Sequence, residues 1–319
     1  MPAFSELENQ LPVQPQQRHL AINQICLKSL KALAEKTGRN TIAYYSCWLM
    51  RNVPGHDIND FDIDGFMNVV HNMKREKGLD LILHTPGGGI AATEQIVHYL
   101  RSLFGTNIRC IVPQLAMSAG TMIACAAKEI IMGRQSCLGP IDPQLFGLPC
   151  HGVVEEFNTA KREVAEKPEY LGVWQPIINK YGPAFLGECQ KSMDLSELLV
   201  RDWLETGMLA GNKKKARAVV KALSSHADTK THDRHLSADR VREIGLVVSM
   251  MEDDNDLQDM ILTVHHAFML ALLNSNIVKI MESDAGKMFV INGAPPQQVI
   301  PMGMHYVGLA PAKIRPSGS

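Results

Sequence analysis

Short unbroken apolar runs alternate along the middle of the chain with stretches of helical spacing. Residues 79–84, LDLILH, are a mostly apolar run of strand length, closed by Pro86-Gly87-Gly88-Gly89. Residues 90–104 then place Ile90, Ile96, Val97, Leu100, Leu103 and Phe104 on one helical face. The pattern repeats, with a buried strand at 108–112, a turn at Ser118-Ala119-Gly120, a small-residue helix at 121–128 and a strand at 129–132. Two strand-to-helix turns about thirty residues apart are what a βαβ unit of a parallel sheet requires.

The same reading predicts the flanking elements. Residues 1–15 are polar and proline-bearing and read as a flexible arm, followed by an amphipathic helix over 19–35 and a first strand over 41–50. A helix is predicted over 66–77, and 174–204 reads as helices interrupted at Tyr181-Gly182-Pro183. A helix over 257–273 leads into a hairpin of 277–281 and 287–291, and the tail from Pro311 reads as disordered.

Composition narrows the classes. With 319 residues, 45% hydrophobic content and 24 glycines, the chain can bury a large core as one large or two intimately packed domains. A net charge of −1 supplies no field for nucleic acid or acidic membranes. Seven scattered cysteines without CxxC pairs indicate reduced thiols and a cytoplasmic setting. The N-terminus has no basic and apolar regions of a signal peptide, and no apolar stretch reaches the ~20 residues of a membrane span. A soluble protein is expected.

Several motifs compete for the chemistry. Asp60-x-Asp62-x-Asp64-Gly65 opens like a calcium loop, but its twelfth position is His71 rather than glutamate, so a turn before a helix is the plainer reading. His265-His266 lack a third ligand at metal spacing, and Lys213-Lys214-Lys215 lacks interleaved aromatics; neither a metal nor a nucleic acid is expected. Gly87-x-Gly89-x-x-Ala92 fits a relaxed dinucleotide fingerprint, but the next strand ends Val112-Pro113-Gln114, without an acid for a ribose. The alternative is an oxyanion site, since Gly87 and Gly88 let backbone N–H groups face a cleft. Ala116-Met117-Ser118-Ala119-Gly120 resembles a nucleophile elbow that would present the serine hydroxyl at a helix N-terminus; an ordinary N-cap serine is the competing reading.

Taken jointly, HTPGGG, AMSAGTMIACAA and GPIDPQ (residues 139–144) resemble the serine dehydrogenase proteinase family, relatives of the Clp protease proteolytic subunit and signal peptide peptidase A. The resemblance covers roughly residues 40–250. It implies an α/β, ClpP/crotonase-like fold of ββα repeats, with a parallel sheet and flanking helices. It also implies Ser118 as nucleophile and an oxyanion hole from the N–H groups of Gly88 and Ala119. On this reading residues 1–40 are an N-terminal arm and helix, 41–250 the catalytic domain and 251–319 a C-terminal helix, β-hairpin and tail. The general base stays open. No histidine follows Ser118 at the Clp spacing; the signal peptide peptidase branch places a lysine where Lys161 stands, on a helix of 153–166. His151, at the start of that helix, is a rival. The segment around His232 and Asp233 resembles the Clp segment that carries the triad aspartate, which makes His232 a third candidate base and Asp233 its acid.

The expectation is a serine peptidase without a cofactor, acting on peptides or proteins as a homo-oligomer. Two alternatives accompany it: a crotonase-like acyl-CoA hydratase or hydrolase, which needs carboxylates facing the cleft, and a non-catalytic peptide-binding scaffold, favoured if Ser118 lacks a base. A dinucleotide-dependent oxidoreductase comes last.

Overall fold

In a computed structural model of the chain, residues 4–225 and 234–293 are described. The apolar runs form strands β1 (Asn40–Ser46), β2 (Leu79–His84), β3 (Ile108–Val112) and β5 (Glu129–Met132), with the two-residue β4 (Leu115–Ala116) after β3. Every residue of β1 and β2 is buried, as strands covered on both faces must be. Their side chains divide by alternation: Ile42, Tyr44, Leu81 and Leu83 enter one core, while Ala43, Tyr45 and Ile82 enter the other. Asp80 is a carboxylate fully buried in β2. Arg109 answers it with two hydrogen bonds of 2.8 and 2.6 Å, and Arg39 with one of 2.6 Å.

The first core is closed by α3 (Asp62–Val69), α4 (Ile90–Phe104), α5 (Ala119–Ala126), α8 (Phe185–Thr206) and α9 (Lys213–Ser224), together with α10 (Ala238–Ile244). The second lies under α1 (Phe4–Asn9), α2 (Pro15–Thr37) and α11 (Asn255–Leu273). Helix α2 starts with proline at its first turn and stops at Gly38, whose φ of 67° lets its N–H close on the Ala34 carbonyl. The main sheet runs β10 (Val248–Met250), β5, β3, β2, β1, β11 (Ile277–Ser283), β12 (Met288–Asn292), the first five strands parallel, β11 antiparallel to β1 and β12 antiparallel to β11. The C-terminal hairpin therefore extends the sheet that carries the central βαβ unit. A second, small sheet orders β4, β6 (Cys137–Leu138) and β9 (Leu236–Ser237). It hangs Ala116 beside the end of β2. A helical annex of α6 (Cys150–Glu166), α7 (Leu171–Ile178) and the start of α8 packs on its own small cluster around Cys150, Val153 and Cys189.

The α/β class, the mostly parallel sheet and the flanking helices stand as expected. Two local expectations change. Residues 4–9 form a helix rather than a flexible arm, because Leu7 and Leu11 reach the second core. The helix expected over 66–77 begins at Asp62 and ends at Val69, followed by a single 3₁₀ turn, Arg75–Lys77. Asp62 is drawn into the interior by an ion pair, which pulls the helix start forward. The tail from Pro311 lies outside the described residues.

Candidate active site

The site forms where β2 and β4 end. Beyond β2, Thr85 pairs with Ala116: the Thr85 N–H donates to the Leu115 carbonyl at 3.2 Å, and the Met117 N–H donates to the Thr85 carbonyl at 3.0 Å. This ladder carries the chain straight from Met117 into Ser118, the residue ahead of α5. Ser118 adopts φ 50° and ψ −114°, a left-handed conformation costing an ordinary side chain roughly 1–3 kcal/mol. Its hydroxyl makes no capping bond to the helix it precedes. The serine occupies the N-cap position without doing an N-cap's work.

Small neighbours permit this turn. A Cβ on Gly120 would stand 2.6 Å from the Thr85 methyl and 3.3 Å from the Ala116 Cβ. One on Gly139 would reach 3.1 Å from the Ser118 nitrogen. The buried Thr121 hydroxyl ties these pieces together, lying 3.0 Å from the Ala116 carbonyl and 2.9 Å from that of Gly139, and accepting from the Gly139 N–H at 3.0 Å.

The glycine turn lies directly against the serine turn. At Gly87, whose φ is 100°, a Cβ would sit 2.7 Å from the Ser118 Cβ, 2.7 Å from the Met117 carbonyl oxygen and 2.9 Å from the Ala119 nitrogen. On its other side the turn is held by Ile58, whose N–H donates to the Gly87 carbonyl and whose carbonyl accepts from the Gly89 N–H, each at 2.8 Å. In such a parallel bridge the groups of the residue between face away, so the Gly88 N–H is turned from Ile58. Gly88 is packed so closely on Ile58 that a Cβ would fall 2.2 Å from its carbonyl oxygen. Neither the Gly88 nor the Ala119 amide donates to a backbone carbonyl among the described residues. Ala119 is the first residue of α5, an eight-residue helix buried throughout, whose N-terminus favours negative charge.

The structure thus brings Ser118, Ala119, Gly87 and Gly88 together, along with Gly139 from the GPIDPQ loop. It does not bring Lys161 or His151 into hydrogen-bond contact with Ser118, whose hydroxyl has no partner among the described residues. Lys161 is exposed on α6, beside a cavity of ≈ 330 Å³ lined by Phe157, Leu171 and Trp174. His151 is half-buried in the first turn of α6, with its Nε2 buried and unpartnered among the described residues. It borders a cleft of ≈ 490 Å³ with Asn158, Arg162 and Ser225. His232 and Asp233 lie outside the described residues.

Sequence reading missed Ile58 and Thr121, which hold the two turns. Ile58 makes a single-residue bridge and Thr121 lies inside an apolar helix, so neither leaves a periodic or motif signal. Asp62, noticed only as part of a calcium-like run, is instead fully buried, accepting from the Lys279 ammonium at 2.6 Å and from the Tyr44 hydroxyl at 2.8 Å.

A mostly parallel sheet whose strand ends present a glycine turn against a serine-to-helix turn defines an α/β protein with a candidate serine elbow. Comparison of the sequence agrees. The chain belongs to the ClpP-like SDH-type serine proteinase family, whose pattern matches residues 11–262. Among curated proteins it is 29% identical over 188 residues to the uncharacterized protein MJ1495 of Methanocaldococcus jannaschii, a stretch covering 59% of this chain and 58% of that protein. It is also 29% identical over 205 residues to the uncharacterized protein MJ0137 of the same organism, covering 58% of this chain and 68% of the relative. No helix among the described residues is long and apolar enough to cross a membrane.

Proposed function

We propose that the protein is a serine peptidase in which Ser118 attacks the scissile carbonyl and the Gly88 and Ala119 amides stabilise the oxyanion. The observation that carries this reading is the contact of the two turns, with the Gly87 backbone packed on the Ser118 Cβ and the Ala119 nitrogen. The left-handed φ of Ser118 supports it, since a strained serine that caps nothing needs another reason to be there. Removing one donor from an oxyanion hole typically costs ~10²–10³ in kcat, so two such amides would be a large catalytic resource.

The base is drawn from Lys161, His151 and His232. Each makes a different demand. A lysine base needs burial or a neighbouring cation to lower its pKa, and Lys161 is exposed in the single chain, so a second copy packed over α6 would have to supply the burial. His151 already has a buried nitrogen without a partner among the described residues. His232 would be oriented by Asp233, as in a triad. Peptide or protein substrates, a homo-oligomer and a cytoplasmic location complete the proposal. The test is incubation with a peptide library derived from a digested proteome, reading new termini by mass spectrometry. Cleavage by the wild-type protein that disappears in Ser118→Ala supports the reading. Identical peptide sets with and without enzyme would remove it.

A further inference from the structure

The oxyanion turn has a support far from it in sequence. Residues 47–61 connect β1 to α3 without a strand or helix of their own, yet Ile58, in their midst, is 1% exposed and holds both Gly87 and Gly89. A connecting segment does not present a fixed template unless something fixes its backbone. Lys279 does so from the centre of β11. Its side chain is 1% exposed, and its ammonium donates to the Asp57 carbonyl at 2.6 Å and to Asp62 Oδ1 at 2.6 Å. The other Asp62 oxygen accepts from the Tyr44 hydroxyl of β1 at 2.8 Å and from the Asn59 N–H at 3.1 Å. Ile58 is therefore gripped on both sides, at Asp57 by Lys279 of β11 and at Asn59 by Asp62 of α3, whose carboxylate is in turn held by Lys279 and by Tyr44 of β1.

This arrangement is expensive. Burial lowers the Lys279 pKa and raises that of Asp62, each opposed by the other's charge. Buried ion pairs of this kind add little net stability over an apolar pair of the same volume. What they supply is direction, because the two ammonium bonds and the carboxylate's own pair of acceptors fix the path of a peptide that packing alone would leave free to shift.

We propose that Lys279 and Asp62 are positioning residues for the oxyanion turn: through the Asp57–Asn59 backbone they hold Ile58, and Ile58 aims the Gly88 amide. The inference rests on the reading of Ser118 as nucleophile, and adds to it a link through the sheet. The relevant atoms form one continuous chain, from Lys279 Nζ to Asp57 O, across the Asp57–Ile58 peptide, and from the Ile58 N–H and carbonyl to Gly87 and Gly89.

The test uses the full chain with Lys279→Met and Asp62→Asn combined, so that no unpaired charge is left buried, and with Tyr44→Phe as a milder variant that removes one bond to Asp62. Two quantities are read well below each variant's melting temperature: amide hydrogen exchange of peptides spanning Gly89, and the rate at which a fluorophosphonate labels Ser118. The double variant is expected to exchange the Gly89 amide about tenfold faster or more and to label ~10²-fold more slowly, without a shift in the labelling pH profile. Tyr44→Phe should show smaller changes of the same sign, and decides the matter should the double variant not fold. Variants that melt lower yet exchange and label like the wild type would reduce the pair to a structural role and overturn the proposal. Faster exchange with an unchanged labelling rate would overturn its catalytic half. A wild-type protein that never labels would instead remove the Ser118 reading, and the exchange arm would still decide whether Lys279 holds the turn.

Discussion

His84, the last residue of β2 and two positions before the glycine turn's proline, is fully buried against the rings of Tyr45, Trp48 and His265, at centroid distances of 5.5, 6.0 and 5.6 Å. Neither of its ring nitrogens is paired in a well-formed hydrogen bond among the described residues, and the backbone of Leu115 offsets only part of the cost of burying its charge. Burial therefore pushes its pKa down from 6.5 to about 4, and that of His265 to about 3. A histidine held neutral by the fold contributes nothing to the pH dependence above its unfolded value. As pH falls below 6.5 the unfolded chain takes up a proton that the folded chain refuses, and stability is lost until the folded pKa is reached. Between about pH 7.5 and about pH 5, His84 alone should cost the folded state ~2 kcal/mol. Glu282 works against this in the same window, since burial raises its pKa from 4.5 to about 7 and acidification relieves the buried charge. The total pH dependence is thus a poor readout, and a difference is needed. In His84→Phe the ring is kept and the titration is gone, so denaturant unfolding at the two pH values should show the wild type losing ~2 kcal/mol more than the variant. Equal losses in the two proteins would refute the reasoning that His84 is buried neutral.

Three further outcomes follow from the site. Gly87→Ala would drive a Cβ to 2.7 Å from the Ser118 Cβ at a φ of 100°, so fluorophosphonate labelling should fall at least ~10²-fold, measured by adduct formation over time. Thr121→Val removes the hydroxyl shared by the Ala116 and Gly139 backbones and should cost ~1–3 kcal/mol in denaturant unfolding, with the Gly139 N–H left buried and unpaired. Among Lys161→Ala, His151→Ala and His232→Ala, one substitution should lower the labelling rate by ~10²–10⁴-fold; wild-type rates in all three would show that the base lies elsewhere.

The parts of the molecule legible in the sequence are those whose physics is local. Strands β2, β3 and β5 announce themselves as apolar runs because a sheet covered on both faces needs nothing polar between its ends, and the glycines at 87–89 and the small residues around Ser118 mark turns that side chains would block. Asp80 shows the limit, a charge inside a buried strand that becomes tolerable only through Arg39 and Arg109, both outside that strand. The site's supports are illegible for the same reason. Lys279 and Asp62 are 217 residues apart, and nothing in the hairpin sequence IVKIMES shows that its lysine meets Asp62 and the Asp57 carbonyl. Composition and spacing likewise do not carry the sign of the Ser118 φ angle, the observation that favours an elbow over an N-cap serine.

The central claim is that Ser118 is an activated nucleophile. Its most direct measurement is reaction of the full-length protein with a fluorophosphonate probe, followed by peptide mapping and repeated with Ser118→Ala. The account predicts a single adduct on Ser118, absent from the alanine variant. A protein that stays unmodified while a control serine hydrolase labels, or an adduct that maps to another serine, would contradict it.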